Sequence, residues 1–166
     1  MGSDKKIDVN FFRPFIDGTR NVLKVQCNLD ITHEKPFIKG TRAQPDFEIA
    51  GIIGITSTVF TGTITICFPA KVYLKIMSNM LGEEFTEISR DLEDGAAELM
   101  NIIFGSAKVV LNEQGYAIQK AIPTVIAGSK LRTSHMGKGS VMVLPFQTAV
   151  GEFHIEIVTE GISMAM

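Results

Sequence analysis

The sequence has little excess charge of either sign and no long apolar run. Sixteen basic residues stand against eighteen acidic ones, so the formal net charge is −2 over 166 residues. A chain so nearly neutral lacks the excess of positive charge that binding to duplex nucleic acid or to an anionic membrane surface requires. Its apolar runs fall well short of the roughly 20 residues that a membrane-spanning helix needs. We therefore expect neither nucleic acid nor a membrane among its partners.

Cysteine and histidine are also scarce, which argues against a metal centre. Cys27 and Cys67 are far apart in the chain and form no CxxC motif. His33, His135 and His154 fall in separate loops and a strand, so a metal site would require three unrelated segments to converge. We expect two reduced, buried thiols and no metal bound by this chain.

The composition that remains is typical of one globular domain over residues 1–166. Hydrophobic residues make up 45% of the chain and charged residues 20%. The N-terminus shows no apolar stretch followed by a small-residue cleavage site, as a secretory signal would. A cytoplasmic location is therefore expected.

Periodicity predicts three helices and several strands. The first helix has Asn10 as its cap and Pro14 in its first turn; the second follows Pro69 and stops at Gly82; the third runs from about Ser89 to about Gln114. A short strand and a turn are expected within residues 35–47. The β-rich runs "EIAGIIGITS" and "GTITICF" are predicted to pair as a hairpin, and three later runs to form a β-meander at the end of the chain.

A weak internal sequence repeat suggests how these elements are arranged. "DGTRNVLK" aligns with "DGAAELMN", and "FTGTITICF" aligns with "AVGEFHIEI", although a duplication would require a loop change of about a dozen residues. The predicted fold is α+β, with helices packed on a mainly antiparallel sheet and two pseudo-twofold helix-plus-hairpin units. In this alignment Asn21 and Lys24 of the first helix stand where the third helix has Glu98 and Asn101, so we expect one site per chain.

The third helix carries a polar row opposite its predicted core stripe. At about 100° per residue, Asp94, Glu98, Asn101 and Gly105 fall within about 60° of one another. The predicted core stripe of this helix consists of Leu92, Ala96, Leu99, Ile103, Ala107 and Val110.

The polar row has two interpretations, a solvated helix surface with acidic residues near its start or a docking site. Asn101 in mid-helix costs roughly half a kcal/mol or more relative to alanine, and Gly95 and Gly105 cost about 1 kcal/mol each. The residue types alone favour the solvated surface, and these costs count mildly against it, because glycine lets another backbone come close.

The motif D-x-x-x-E-x-x-N at Asp94, Glu98 and Asn101, followed by "IIFGSA", resembles the signature of the CheC/CheX/FliY chemotaxis phosphatases. The likeness to the CheX branch extends over nearly the whole chain, through "VNFFRPFIDGTRNVLK", "GIIGITSTVFTGTITICF", "MLGEE" and "IPTVIAG". It is the combination of these segments that makes the resemblance specific.

The resemblance implies hydrolysis of the aspartyl phosphate of a CheY-like response regulator, with Mg²⁺ bound by the regulator and no cofactor bound by this chain. Asn101 would orient the attacking water, and Glu98 would pair with a lysine of the regulator. Asp94 and Gly105 would contact the partner, as acidic support and as open surface. The resemblance also implies a homodimer formed through sheet edges. The alternatives are a non-catalytic adaptor of the flagellar-switch type, which would need Glu98 but not Asn101, and a purely structural dimeric domain.

Overall fold

The computed structural model describes residues 7–58, 60–120, 122–135 and 140–160, which form three α-helices and eight β-strands. The helices are α1 (Val9–Cys27), α2 (Ala70–Leu81) and α3 (Arg90–Glu113). The strands are β1 (Thr32–His33), β2 (Phe37–Ile38), β3 (Phe47–Thr56), β4 (Thr61–Phe68), β5 (Gln119–Lys120), β6 (Thr124–Leu131), β7 (Val141–Thr148) and β8 (Gly151–Glu160). In these ranges no helix is long and apolar enough to cross a bilayer.

The helix ends follow local capping chemistry. The Ser89 hydroxyl accepts a hydrogen bond from the Leu92 backbone N–H at the start of α3, and Gly82 ends α2 in the left-handed region at φ 68°. The predicted cap of α1 was wrong, because the Asp8 carboxylate caps that helix by accepting from the Asn10 backbone N–H. This earlier start places Pro14 in the second turn instead of the first.

All strands join one antiparallel sheet in the order β1-β7-β8-β4-β3-β5, with β2 also on β7 and β6 also on β3. The predicted hairpin is confirmed, since β3 pairs with β4 from Ile49↔Phe68 to Thr56↔Thr61. The predicted terminal meander is only partly right. β7 and β8 pair, but β6 lies at the opposite end of the sheet, because β1 and β2 occupy the outer edge of β7 while β3 has an open edge for β6.

The sheet order contains the two predicted units. In each unit a long helix is followed by strands that join an edge of the sheet and then by a hairpin: α1, β1–β2 and β3–β4 in the first, α3, β5–β6 and β7–β8 in the second. The second strands of the two hairpins, β4 and β8, pair at the centre of the sheet. This arrangement is the expected pseudo-twofold α+β fold.

The helices cover one face of the sheet and form the main core with it. Fully buried aromatic side chains hold α1 to α3 and to the sheet, with Phe11, Phe15 and Phe104 among them. The Tyr73 hydroxyl of α2 donates to the backbone carbonyl of Leu92 at the start of α3, and burial raises the pKa of Tyr73. α3 is therefore held by α1 on one side and by α2 on the other. One long face of this helix stays exposed to solvent.

Both cysteines are buried and unpaired, as expected. Burial raises the pKa of Cys27 to about 11 and raises that of Cys67 well above its usual value. Both are therefore protonated thiols at neutral pH.

Candidate functional site

The four predicted site residues lie together on the solvent side of α3, and we call them the α3 row: Asp94, Glu98, Asn101 and Gly105. Asp94 and Glu98 are exposed, whereas Asn101 and Gly105 are partly exposed. From Glu98 to Asn101 the helix rises about 4.5 Å, so one partner group can contact both side chains. The geometric part of the sequence prediction is confirmed.

The opposite side of α3 is the predicted core stripe with one exception. Leu99 and Ala107 are fully buried, but Val110 is 40% exposed and Leu111 is buried in its place. At about 100° per residue Val110 lies directly above Leu92, whereas Leu111 lies about 100° further round, on the side where Met100 and Phe104 are also buried. The buried side of the last turn is therefore the side of Met100 and Phe104, which the predicted stripe omitted. The α3 row lies far enough from that end to be unaffected.

The two carboxylates of the α3 row have no partner in the described part of the chain. Neither Asp94 nor Glu98 takes part in an ion pair or a hydrogen bond there. Asp91 and Glu93 in the first turn add further negative charge, which the helix dipole tolerates at its N-terminus. The start of α3 is therefore an acidic surface that can receive a cationic group.

Asn101 does have a partner, and sequence reasoning missed it. The Lys120 ammonium donates to Asn101 Oδ1 at 2.7 Å. Lys120 follows α3 on β5, and its backbone is paired with Ile55 of β3. No local pattern near Asn101 indicates this contact, because it depends on the sheet edge to which β5 adds.

The two unusual glycines of α3 have different surroundings. A Cβ at Gly95 would lie 2.6 Å from Met77 Sδ and 3.0 Å from the Tyr73 hydroxyl, so Gly95 is needed for α2 to pack closely on α3. A Cβ at Gly105 would meet no atom within 4 Å. Packing within the fold explains Gly95, whereas it gives no reason for Gly105 on the exposed row.

The corresponding helix of the first unit presents different groups. Asn21 and Lys24 are exposed on α1, and Lys24 pairs with Asp30 at 3.7 Å. A lysine stands where α3 has its carboxamide, so α1 lacks the acid-and-amide combination. The expectation of one site per chain stays a prediction.

Comparison with known proteins gives a consistent answer. Residues 49–147 match the family model for the chemotaxis phosphatase CheX. A CheC-like superfamily protein from Shewanella sp. PV-4 is 33% identical, with a TM-score of 0.86 over 92% of this chain and 99% of that one. The chain belongs to the CheX family.

Two further solved structures extend the comparison. The chemotaxis protein CheX from Vibrio vulnificus is 32% identical to this CheX-family chain, with a TM-score of 0.85 over 92% of this chain and 100% of that one. The CheX–CheY–BeF₃–Mg²⁺ complex from Borrelia burgdorferi is 21% identical, with a TM-score of 0.75 over 90% and 97%. A comparison with curated protein sequences finds no significant match.

The CheX-family chain has a second polar cluster, on the sheet face that the helices leave uncovered. We call it the Glu156 network. Glu156 is 1% exposed; Lys39 Nζ lies 2.9 Å from its Oε1, and Thr133 Oγ1 donates to the same oxygen at 2.8 Å. His135 Nε2 lies 3.3 Å from Oε2, and His154 Nε2 lies 3.5 Å from Oε1. Burial alone would raise the pKa of Glu156, but the His154 ring, the Thr133 hydroxyl and the Lys39 ammonium beside the carboxylate lower it well below its usual value.

The Glu156 network brings together two histidines that the sequence predicts to be scattered. β8 carries His154 and the segment after β6 carries His135, and both lie beside one carboxylate. Atoms of Cys67, His154 and Glu156 that could ligate a metal lie within 4.8 Å of one another. The Lys39 ammonium already neutralises Glu156, so the cluster has the character of a charge-compensated structural network.

Proposed function

We propose that this CheX-family chain hydrolyses the aspartyl phosphate of a CheY-like response regulator, using Glu98 and Asn101 of the α3 row. The observation that carries the proposal is the placement of a free carboxylate and a carboxamide one helical turn apart on an exposed helix face. Membership of a chemotaxis phosphatase family supports the activity. The Borrelia burgdorferi relative, whose structure is a complex with CheY, BeF₃ and Mg²⁺, supports the choice of partner.

Asn101 is proposed to orient the attacking water. An acyl phosphate is already reactive, so hydrolysis mainly requires a water held in line with the phosphorus. The Oδ1 atom of a carboxamide accepts a hydrogen bond from water and its Nδ2 donates one, which fixes the water without strong basicity. When bound to the regulator, Mg²⁺ supplies stabilisation of charge on the phosphoryl oxygens.

Glu98 is proposed to anchor the helix on the regulator. Its exposed carboxylate, about 4.5 Å along the helix axis from Asn101, can pair with a lysine at the edge of the regulator's active site. Asp94 adds negative charge one turn earlier, and Gly105 leaves space for the partner's backbone. In this proposal Glu98 anchors the helix and Asn101 holds the water. Asp94 is acidic support, and Gly105 is open contact surface.

Asn101→Ala tests the catalytic assignment. Removal of one positioning group should slow dephosphorylation by a factor on the order of 10 to 1,000 while binding of the regulator is retained. The measurement is the lifetime of the phosphorylated regulator with equal amounts of each variant. Asn21→Ala, at an exposed asparagine of α1, is the matched control and should leave this lifetime unchanged. An unchanged lifetime with Asn101→Ala would refute the catalytic role.

Glu98→Lys tests the docking assignment. Reversal of the charge places two cations face to face and should abolish measurable binding to the regulator, as judged by calorimetry or surface plasmon resonance. Asp17→Lys, at an exposed acid of α1, makes the same charge change outside the α3 row and should bind normally. Unaltered affinity of Glu98→Lys would remove Glu98 from the interface.

The adaptor hypothesis makes the same prediction for Glu98→Lys and a different one for Asn101→Ala. A chain that only holds the regulator would lose function in Glu98→Lys and would show no hydrolysis with or without Asn101. Measurement of phosphate lifetimes across the phosphorylated regulators of the same organism separates the two functions, since a flat result for all of them favours the adaptor.

We also propose that the chain forms a homodimer in the cytoplasm. β6 pairs with β3 on one side and is exposed along most of its length, with Ile122 before it 90% exposed and Ile126 44% exposed. A strand edge with exposed apolar side chains is a surface on which a second copy can extend the sheet. Light scattering should give the mass of two chains, and Ile126→Lys should reduce it to one; a wild-type monomer would refute the dimer. Cell fractionation would check the location.

A further inference from the structure

The contact between Lys120 and Asn101 suggests a further member of the proposed site. Asn101 is the only residue of the α3 row that has a side-chain partner in the described part of the chain. The partner comes from a different element, β5, and is itself exposed. An exposed lysine contributes little to stability through one surface hydrogen bond, so its placement at this carboxamide calls for another explanation.

The backbone of Lys120 is held firmly beside α3. Asn112, near the end of α3, accepts from the Ile118 backbone N–H at 2.6 Å and donates to the Ile118 carbonyl at 3.4 Å. Two residues later Lys120 pairs with Ile55 of β3, whose side chain lies in the core beneath the helices. Residues opposite each other in an antiparallel ladder point to the same face, so Lys120 is directed toward α3.

The chemistry of the contact fixes the orientation of the carboxamide. A lysine ammonium only donates, so the atom of Asn101 that faces it must be the oxygen. A carboxamide oxygen has two lone pairs, and Lys120 occupies one of them. The second lone pair and the Nδ2 hydrogens stay available, which is the arrangement that a water-holding group requires.

We propose that Lys120 is a positioning residue that holds the Asn101 carboxamide in its water-orienting rotamer. This inference rests on the function proposed for Asn101. Without Lys120 the terminal torsion of an asparagine is broad and roughly two-fold, so the oxygen and the nitrogen would exchange places. The attacking water would then be held in the wrong orientation for part of the time, and the maximal rate would fall while docking through Glu98 continued.

Kinetics of Lys120→Met test the proposal. The neutral side chain of similar length should lower kcat about 3- to 30-fold with little change in KM, since a misplaced group of this kind slows chemistry without removing binding. Lys120→Arg, which keeps a cationic donor, should recover most of the rate. Lys108→Met removes a lysine from α3 itself, beyond Gly105, and should leave kcat and KM unchanged. A rate increase in Lys120→Met would overturn the proposal, because Lys120 would then be an inhibitory latch.

A double-mutant cycle with Asn101→Ala separates action through Asn101 from direct action on the phosphoryl group. Lys120→Met should add no further loss of rate once Asn101 is alanine, since two groups that act as a unit are not additive. An equal loss in both backgrounds would overturn the proposal.

A readout independent of activity separates this inference from the proposed function. The side-chain NH₂ resonances of Asn101, assigned by their disappearance in Asn101→Ala, should show increased mobility by NMR in Lys120→Met and not in Lys108→Met. Unchanged mobility refutes the role of Lys120 even if Asn101 is catalytic. Increased mobility in a protein whose activity does not depend on Asn101 would instead refute the proposed function and limit Lys120 to holding a surface side chain.

Discussion

The α3 row and the Glu156 network are polar groups on opposite faces of one sheet, and they differ in how their charges are satisfied. Glu98 is exposed and has no ion pair or hydrogen bond among the described residues, whereas Glu156 is buried and in contact with Lys39, Thr133 and two histidines. A buried carboxylate must be compensated inside the fold, while an exposed one stays available to a partner. We therefore expect the stability of the fold to depend on the Glu156 network and recognition of a partner to depend on the α3 row.

Substitution of each glutamate in turn tests this difference most directly. Glu156→Leu should lower the free energy of unfolding by about 3 kcal/mol, because it leaves the Lys39 ammonium and the Thr133 hydroxyl without their buried acceptor. Glu98→Leu is the matched control and should change stability by no more than about 0.5 kcal/mol. Urea denaturation measures both, and equal losses would contradict the assignment.

The loss of stability in Glu156→Leu includes the cost of leaving the Lys39 ammonium without its partner, and this part can be measured separately. Lys39 is 24% exposed, so it can partly recover hydration once its partner is gone. The double variant Lys39→Met with Glu156→Leu removes the uncompensated charge and should be more stable than Glu156→Leu alone. If the double variant is less stable than Glu156→Leu, Lys39 stabilises the fold in a way unrelated to Glu156.

The pH dependence of stability tests the role of Glu156 as well, because the pKa of Glu156 in the folded protein is well below its usual value. A carboxylate of this kind stabilises the fold fully above its unfolded pKa, about 4.3, and the stabilisation is lost as pH falls from there toward the lowered folded pKa. Glu156→Gln should therefore remove up to about 1.4 kcal/mol per pH unit from the slope of stability below about pH 4. Urea midpoints between about pH 3 and pH 6 measure it, and parallel curves would contradict the prediction.

Features with a local cause were predictable from the sequence. Ser89 and Gly82 mark helix ends by their own capping chemistry, and periodicity alone placed Glu98 and Asn101 on the exposed side of α3. The cap at Asp8 was missed because Asn10, two residues later, is an equally good capping residue by type. Local signals therefore gave the three helices, the β3–β4 hairpin and the α3 row, with the predicted cap of α1 two residues too late.

Features that depend on strand order were not predictable. The partner of β6, the contact of Lys120 with Asn101 and the convergence of His135 on Glu156 all require knowing which sheet edge each strand joins. Such pairings join residues far apart in sequence, and no short pattern encodes them. The sequence thus predicted the exposed row with Glu98 and Asn101, but neither Lys120 beside Asn101 nor the Glu156 network on the other face of the sheet.

The two glycines of α3 allow a smaller and more exact test of packing against function. Gly105→Ala should raise the free energy of unfolding by about 0.5 to 1 kcal/mol, because alanine favours the helix and its Cβ meets no atom within 4 Å. Gly95→Ala makes the same change on the same helix, yet should lower stability by about 1 kcal/mol, because its Cβ forces Met77 and Tyr73 to move. Thermal melts of the pair check the sign, and two changes of equal sign would contradict it.

The same Gly105→Ala variant separates stability from docking, with the smallest expected effect. If the regulator's backbone approaches α3 at Gly105, an added methyl group should weaken binding by a factor of about 3 to 10 although the free protein has become more stable. Loss of affinity in a stabilised variant cannot arise from partial unfolding, so it would locate the interface at this position. Unchanged affinity would remove Gly105 from the contact surface and confine the interface to the turns of α3 that carry Asp94, Glu98 and Asn101.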